Sequence, residues 1–289
     1  MPVGPYGALL DAVRGVRWPA RRPVPGGAPG AHVARTRGVA PEFAEYRPYR
    51  QGDDPRRIDW KLLARSDRAF IRLAPDQAIL GTTILVDASA SMAFPEGDAG
   101  KWGLAKRLTV GLAAVAHASA DPVGLAVASG KGVRRLEPRT RRGVVSEIAR
   151  TLDGLAPSGA ALLAPLVLNA AARVVVLTDC LGDLEELRVA LARHVARRGE
   201  AILVHLVAAA ELEPAFAPSL ATDPENAAIR RPLVKATRDL YRVRFDEFRS
   251  ESARALRADG VEVHEVRDDE APEVVVRRIV RLPGGEKRR

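Results

Sequence analysis

From about residue 80 the chain alternates short, continuous apolar runs with longer stretches in which apolar residues recur every three or four positions. Thr82–Asp87 (Thr-Thr-Ile-Leu-Val-Asp), Arg173–Asp179 (Arg-Val-Val-Val-Leu-Thr-Asp) and Ala201–Val207 are such runs. Each predicts a strand covered on both faces. Pro122–Val127 and Val261–Val266 read as further strands, with Val133–Leu136 as the neighbour of the first. Between them, Gly100–Ala118 carries Leu104, Leu108, Leu112 and Val115 at helical spacing, and Arg142–Leu155 carries Val144, Val145, Ile148 and Leu152. Leu184–Arg198, Val234–Ala258 and Pro272–Val280 predict three more helices, the last with proline at a tolerated first-turn position. Strands alternating with helices mean an α/β fold with a mostly parallel, doubly wound sheet and helices on both faces. Ligands of such sheets sit outside the carboxyl ends of the strands. Asp87 and Asp179 both fall at such an end.

Upstream the pattern is different. After a short amphipathic start, Tyr6–Trp18, four prolines (Pro19, Pro23, Pro25, Pro29) and Gly26, Gly27 and Gly30 disfavour regular structure. The expected division is a loop-rich segment at 1–31, a distinct segment at 32–79 packed on the sheet as an irregular or β element, and the α/β domain at 80–285.

Composition narrows the classes. The chain has 289 residues, 47% hydrophobic and 28% charged, which excludes global disorder. Cys180 is the one cysteine, so no intramolecular disulfide forms, and with five scattered histidines a Cys/His zinc cluster is excluded. Cys180 itself reads as a small buried residue, and Trp18, Trp60 and Trp102 as packing anchors. No apolar run approaches the ~18–20 residues that span a bilayer, and the start has no basic region followed by an apolar one. The expectation is a cytoplasmic protein without a transmembrane segment. The formal net charge of +9 raises nucleic acid as a partner. However, the arginines mostly sit among acids, aromatics make up only 4%, and no helix-turn-helix, zinc-finger or RNA-recognition signature is present, so no nucleic acid is expected.

Two dense features carry the candidate chemistry. The first is Asp87-Ala-Ser89-Ala-Ser91-Met92, directly after an apolar strand. If the stretch stays extended, alternation lets Asp87, Ser89 and Ser91 point the same way. These are hard oxygen donors, suited to Mg²⁺ or Mn²⁺. A second apolar strand delivers Asp179 after Thr178, and the two carboxylates meet if the strands are neighbours. The competing reading is that the serines cap the turn and each aspartate caps a helix. The second feature is residues 42–65, where Gly52-Asp53 makes a turn, Asp54 suits an N-cap, Pro55 suits a first helical position, and Arg and Asp alternate. It reads as a structural brace or as a charged partner surface. No activated nucleophile is visible in it.

Asp87-Ala-Ser-Ala-Ser-Met resembles the metal-ion-dependent adhesion site of von Willebrand factor A-like domains. The resemblance implies a Rossmann-type fold in which Ser89 and Ser91 ligate the metal directly, Asp87 and Asp179 act through water, and the open position takes a partner's carboxylate. The family also supplies a threonine from a second loop. Here that loop is Ala156-Pro-Ser158-Gly159-Ala160-Ala161, and Ala160 stands in the threonine's place.

The upstream stretch resembles the motif Arg-x-Tyr-x-x-Gly-Asp-Asp-x-Arg-x-Ile-Asp-Trp followed by Ala-Arg, here Arg47, Tyr49, Asp53, Asp54, Arg56, Asp59, Trp60 and Arg65, with Arg57 beside them in the same candidate surface. The motif is similar to that of the family catalogued as domain of unknown function number fifty-eight, whose members join it to a von Willebrand A-like domain. The resemblance implies a non-enzymatic adaptor that works with a MoxR-type AAA+ ATPase and an unidentified client in chaperone-like maturation of protein complexes. It makes residues 47–65 a candidate protein-binding surface. Two alternatives stand beside it. One is a Mg²⁺-dependent hydrolase or phosphotransferase using Asp87 as nucleophile. Against it, Ser89 occupies the position where haloacid-dehalogenase-like enzymes need a second acid. The other is charge-driven nucleic-acid binding.

Overall fold

The structure is a computed structural model that describes residues 4–21, 29–33, 45–49, 58–66, 68–73, 77–214, 219–223 and 228–281. Two compact units divide the chain: Met1–Pro19 together with Leu80–Arg289, and Ala20–Ile79.

The larger unit is built on a six-stranded sheet. Its strands are β5 (Thr82–Asp87), β6 (Val123–Ser129), β7 (Gly132–Arg139), β8 (Arg173–Thr178), β9 (Glu200–Val207) and β12 (Glu262–Arg267). They lie in the order β12-β9-β8-β5-β6-β7, with β7 antiparallel to β6 and every other pair parallel. By order of appearance, and from the β7 edge, this is 3-2-1-4-5-6, the doubly wound arrangement. The order reverses between β5 and β8, so the crevice that such sheets use for ligands lies outside the ends of these two strands.

The four central strands, β5, β6, β8 and β9, are buried on both faces because they are apolar at nearly every position, whereas the edge strands β7 and β12 carry exposed polar residues. Ile84, Val86, Val175, Leu177, Ile202 and Val204 pack with the helices α3 (Lys101–Ala118), α4 (Val144–Asp153) and α9 (Pro272–Val280). The intervening Leu85, Val174, Val176 and Leu203 face α5 (Ala164–Val167), α6 (Leu184–Ala196) and the end of α8 (Lys235–Ala258). This is the period-two alternation of a strand with two dry faces. Each such Val, Leu or Ile contributes roughly 1.5–3 kcal/mol on burial. Asp183 caps α6, its carboxylate accepting the Glu186 amide at 3.1 Å.

The amphipathic start belongs to this unit and does not stand apart. Helix α1 (Gly7–Ala12) follows a single 3₁₀ turn and buries Tyr6, Leu9 and Val13. The Tyr6 hydroxyl donates to Asp153 of α4 at 2.6 Å. Trp18 is fully buried, with the Arg173 guanidinium 4.4 Å over its ring, and Arg173 donates in turn to Glu200 and to the Pro19 carbonyl. Helix α1 ends at Ala12, upstream of Pro19, so the apolar face is used before the first of the four prolines is reached. Two further elements have no counterpart in the sequence reading: the short helix α7 (Ala209–Leu212), and a hairpin of β10 (Ser219–Thr222) with β11 (Arg230–Leu233).

The smaller unit pairs β1 (Pro29–Val33) with β4 (Gln77–Ala78), and β2 (Glu45–Pro48) with β3 (Phe70–Leu73), both antiparallel. Helix α2 spans Trp60–Ser66. Its cap is Asp59, whose carboxylate accepts the amides of Lys61 and Leu62 at 3.0 Å each. Asp54 and Pro55, the expected cap and first turn, lie outside the described residues, and the described helix starts five residues later. Among the described residues no helix is long and apolar enough to cross a membrane.

Candidate functional site

The four residues singled out at the strand ends come together at the reversal of strand order. Strands β5 and β8 pair in register, Val86 opposite Leu177, so Asp87 stands beside Thr178. The Thr178 hydroxyl donates to Asp87 Oδ2 at 2.7 Å, and the Ser89 amide donates to Oδ1 at 2.8 Å. The Ser89 and Ser91 hydroxyls are 3.0 Å apart and bond to each other. Alternation along an extended chain is not what pairs them. Ser89 is extended, but Ala90–Ala93 is a 3₁₀ turn, and that turn folds Ser91 back over Ser89.

The second loop is zipped to this turn through its backbone. Ser158 donates its amide to the Ala88 carbonyl at 2.9 Å, and Ala90 donates to the Gly159 carbonyl at 2.8 Å. The same loop also meets the turn between β6 and β7, where Gly159 and Gly130 stand back to back. A Cβ on Gly159 would stand 2.9 Å from Gly130 Cα, and Gly159 has φ +54. Ser158 Oγ is buried without a partner among the described residues, and Ala160 is exposed.

After β8 the chain turns sharply. Cys180 has φ 61, in the left-handed region that non-glycine residues rarely enter. The turn is held by the Cys180 amide on Thr178 Oγ1 and the Leu181 amide on Asp179 Oδ1. Below it, His205 Nε2 lies 3.1 Å from the Asp179 carbonyl, and burial pushes the imidazole down to about 4. The Cys180 thiol is buried and pushed well above its ordinary range, first by desolvation and then by Asp179 and Asp87, so it is a packing residue and not a nucleophile.

The decisive residue is one the sequence reading passed over as an ordinary helix start. Lys101, the first residue of α3, is 1% exposed and donates to Asp179 Oδ2 at 2.8 Å and to Glu211 Oε1 at 2.6 Å. Asp179 is 2% exposed. Burial works to lower the Lys101 pKa, but the two carboxylates outweigh it and hold the ammonium above its ordinary value. Asp87 is raised, chiefly by burial and then by the charge of Asp179. Glu211 is raised by burial against the pull of Lys101. One local signal was available. A cation in the first turn opposes the helix dipole, and the first turn of α3 has no acidic residue to balance it. Glu211 and His205 had no such signal.

A divalent cation would find part of its ligand set here. Octahedral Mg²⁺ with ligands at about 2.0–2.1 Å sets neighbouring oxygens about 2.9 Å apart, which the serine pair matches. The rest of the set does not fit. Asp179 is turned to an ammonium, both Asp87 oxygens already accept protein donors, and the second loop offers Ala160 where an oxygen is needed. Among the described residues no group of three His, Cys, Asp or Glu is placed to hold a metal ion.

In the smaller unit, Asp59 is the α2 cap, and Tyr49 donates its amide to the Ala69 carbonyl at 2.8 Å. Arg47 lies on β2 opposite Ile71, and Arg65 is exposed in the last turn of α2. Trp60 is 63% exposed, so it is not the packing anchor expected of it, because α2 buries none of its side chains. Asp53, Asp54, Arg56 and Arg57 lie outside the described residues.

Residues 45–255 match the family described as protein of unknown function DUF58. The chain belongs to this family. The DUF58 match runs from β2 into α8 and encloses Asp87, Ser89, Ser91, Lys101, Asp179 and Glu211. A Mycobacterium tuberculosis relative, uncharacterized protein Rv1480, is 26% identical over 272 residues, covering 90% of this chain and 85% of that protein. Its Mycobacterium bovis counterpart, uncharacterized protein Mb1516, matches equally. Among solved structures, the VWA domain of SpRpn10 is 11% identical with a TM-score of 0.42, covering 68% of this chain and 94% of that one. BatB from Bacteroides thetaiotaomicron is 17% identical with a TM-score of 0.44, covering 69% and 97%.

Proposed function

We propose that this DUF58 chain is a non-enzymatic protein-binding module, an adaptor that docks a MoxR-type AAA+ ATPase and serves it in chaperone-like maturation of client complexes. The docking face is the carboxyl end of the sheet. One observation carries this reading. Phe94, Leu162 and Leu181, at 46%, 64% and 48% exposure, sit on the three loops that frame Asp87 and the serine pair. Exposed apolar side chains on loops fixed from below, around a polar and buried centre, make a surface for another protein. The centre itself offers little to a small substrate. Asp87, Ser89, Ser91 and Asp179 are all buried, and the Asp87 carboxylate is held by protein donors and raised by burial, which disfavours it as a nucleophile.

The test is co-purification of the full chain with a MoxR-type AAA+ ATPase. Leu162→Glu and Leu181→Glu place a charge on the face without touching the core. Each is expected to weaken the complex by at least about tenfold, the effect of roughly 1.4 kcal/mol at an apolar contact. ATPase capture that is absent from the wild type, or undiminished in both variants, would overturn the reading.

A further inference from the structure

We infer that Lys101 is the resident cation of this site, so that the docking face is assembled and works without a divalent metal. Asp87 Oδ1 accepts from the Ser89 amide and Oδ2 from the Thr178 hydroxyl. Asp179 Oδ1 accepts from the Leu181 amide and Oδ2 from Lys101. Glu211 Oε1 accepts from Lys101 and Oε2 from the Ala208 amide. Every oxygen of the three acids therefore already has a donor from the protein. Each oxygen keeps a second lone pair, so these bonds alone do not bar a metal; what stands against a dication is the ammonium already seated on Asp179, which it would have to displace in a buried setting.

The position of Lys101 points the same way. At the first residue of α3 its charge is locally unfavourable, and no acidic neighbour in the first turn offsets it. Its two partners come from remote parts of the chain, the loop after β8 and the helix α7 after β9. The ammonium thus ties three carboxyl-end segments together, the task a bridging metal would otherwise perform. The second loop fits this account, since Ala160 brings no ligand and the loop is held by backbone bonds to Ala88 and Ala90. What the face then presents to a partner is its apolar rim, above three acids whose oxygens each accept a donor from the protein.

The inference takes the carboxyl-end face to be the docking face, yet its test uses the full chain alone, so that a failed ATPase contact and a failed metal prediction can be told apart. The free Mn²⁺ signal in electron paramagnetic resonance is followed as protein is added, with melting curves run in EDTA and in Mg²⁺. The wild type is expected to leave the Mn²⁺ signal unchanged up to millimolar metal and to melt at the same temperature in both buffers. Lys101→Met, which removes the ammonium and leaves Asp179 and Glu211, is expected to gain Mn²⁺ binding by at least about tenfold. Micromolar Mn²⁺ uptake by the wild type that is lost in Ser89→Ala would overturn the inference. So would a folded Lys101→Met with no gain. Should Lys101→Met not fold, the wild-type titration decides alone.

Discussion

Lys101→Met tests whether the ion triad holds the carboxyl end of the sheet together. The substitution keeps the apolar stem and removes the ammonium, leaving Asp179 and Glu211 buried without their common partner. Breaking a buried pair by deleting one member costs about 3–5 kcal/mol, because the remaining charge is left uncompensated. For a unit of this size 1 kcal/mol shifts the melting temperature by roughly 2–4 °C, so a fall of roughly 6–20 °C is expected. The cost is not the worth of the triad itself. Replacing all three members, as Lys101→Met with Asp179→Asn and Glu211→Gln, removes the charges together and is expected to recover a large part of the loss. The chain divides into two units, so the assay must report on the sheet unit alone. Of the three tryptophans, Trp18 and Trp102 lie in that unit and Trp60 in the other. Fluorescence-monitored urea unfolding in a Trp60→Phe background isolates it, and Trp60 is exposed enough for this change to be harmless. A Lys101→Met protein within about 1 kcal/mol of its parent would refute the reasoning, since an exposed pair is worth no more than that.

Other outcomes follow from the same geometry. The folded His205 pKa of about 4 lies below the 6.5 of the ordinary imidazole, so the neutral ring is what the fold accommodates. Its contribution is complete above pH 6.5 and is lost as the pH falls toward 4, to a total of about 3 kcal/mol. Asp87 and Glu211 are raised and work in the opposite sense, so the check is the difference in urea stability between wild type and His205→Gln from pH 7 to pH 4. The wild type should lose stability faster. Parallel curves would remove His205 from the account. Gly159→Ala puts a Cβ 2.9 Å from Gly130 Cα at a left-handed φ. It should cost at least about 1–2 kcal/mol and loosen the loop that accepts the Ala90 amide, seen as faster hydrogen exchange there. Unchanged exchange at Ala90 would show that the loop is not held by this approach.

Much of the architecture is legible in the pattern of residues. Thr82–Asp87 could be placed because six successive positions suit a strand with two buried faces, and the same holds for β8 and β9. From strands of that kind, the parallel sheet and the carboxyl-end location of Asp87 and Asp179 follow. What was not legible is whatever depends on distant partners. Lys101 finds Asp179 78 residues away and Glu211 110 residues away, and nothing local announces either contact beyond an ill-placed charge in a first turn. The pairing of Ser89 with Ser91 was anticipated for the wrong reason, since a 3₁₀ turn rather than strand alternation closes the distance. The amphipathic start falls in the segment read as loop-rich, because prolines and glycines crowd the residues that follow it. Only the tertiary contacts of Tyr6, Leu9, Val13 and Trp18 make it part of the core. Trp60 shows the converse, a large apolar residue that propensity sends inward and the structure leaves in solvent.

The most direct measurement of the central claim is the affinity of the full chain for the MoxR-type ATPase by calorimetry, made in EDTA and repeated with the Leu162→Glu/Leu181→Glu double variant. The account predicts a complex of the same affinity in EDTA and in Mg²⁺, abolished by the double variant. A complex that the chelator dissolves, or one that the double variant retains in full, would contradict it.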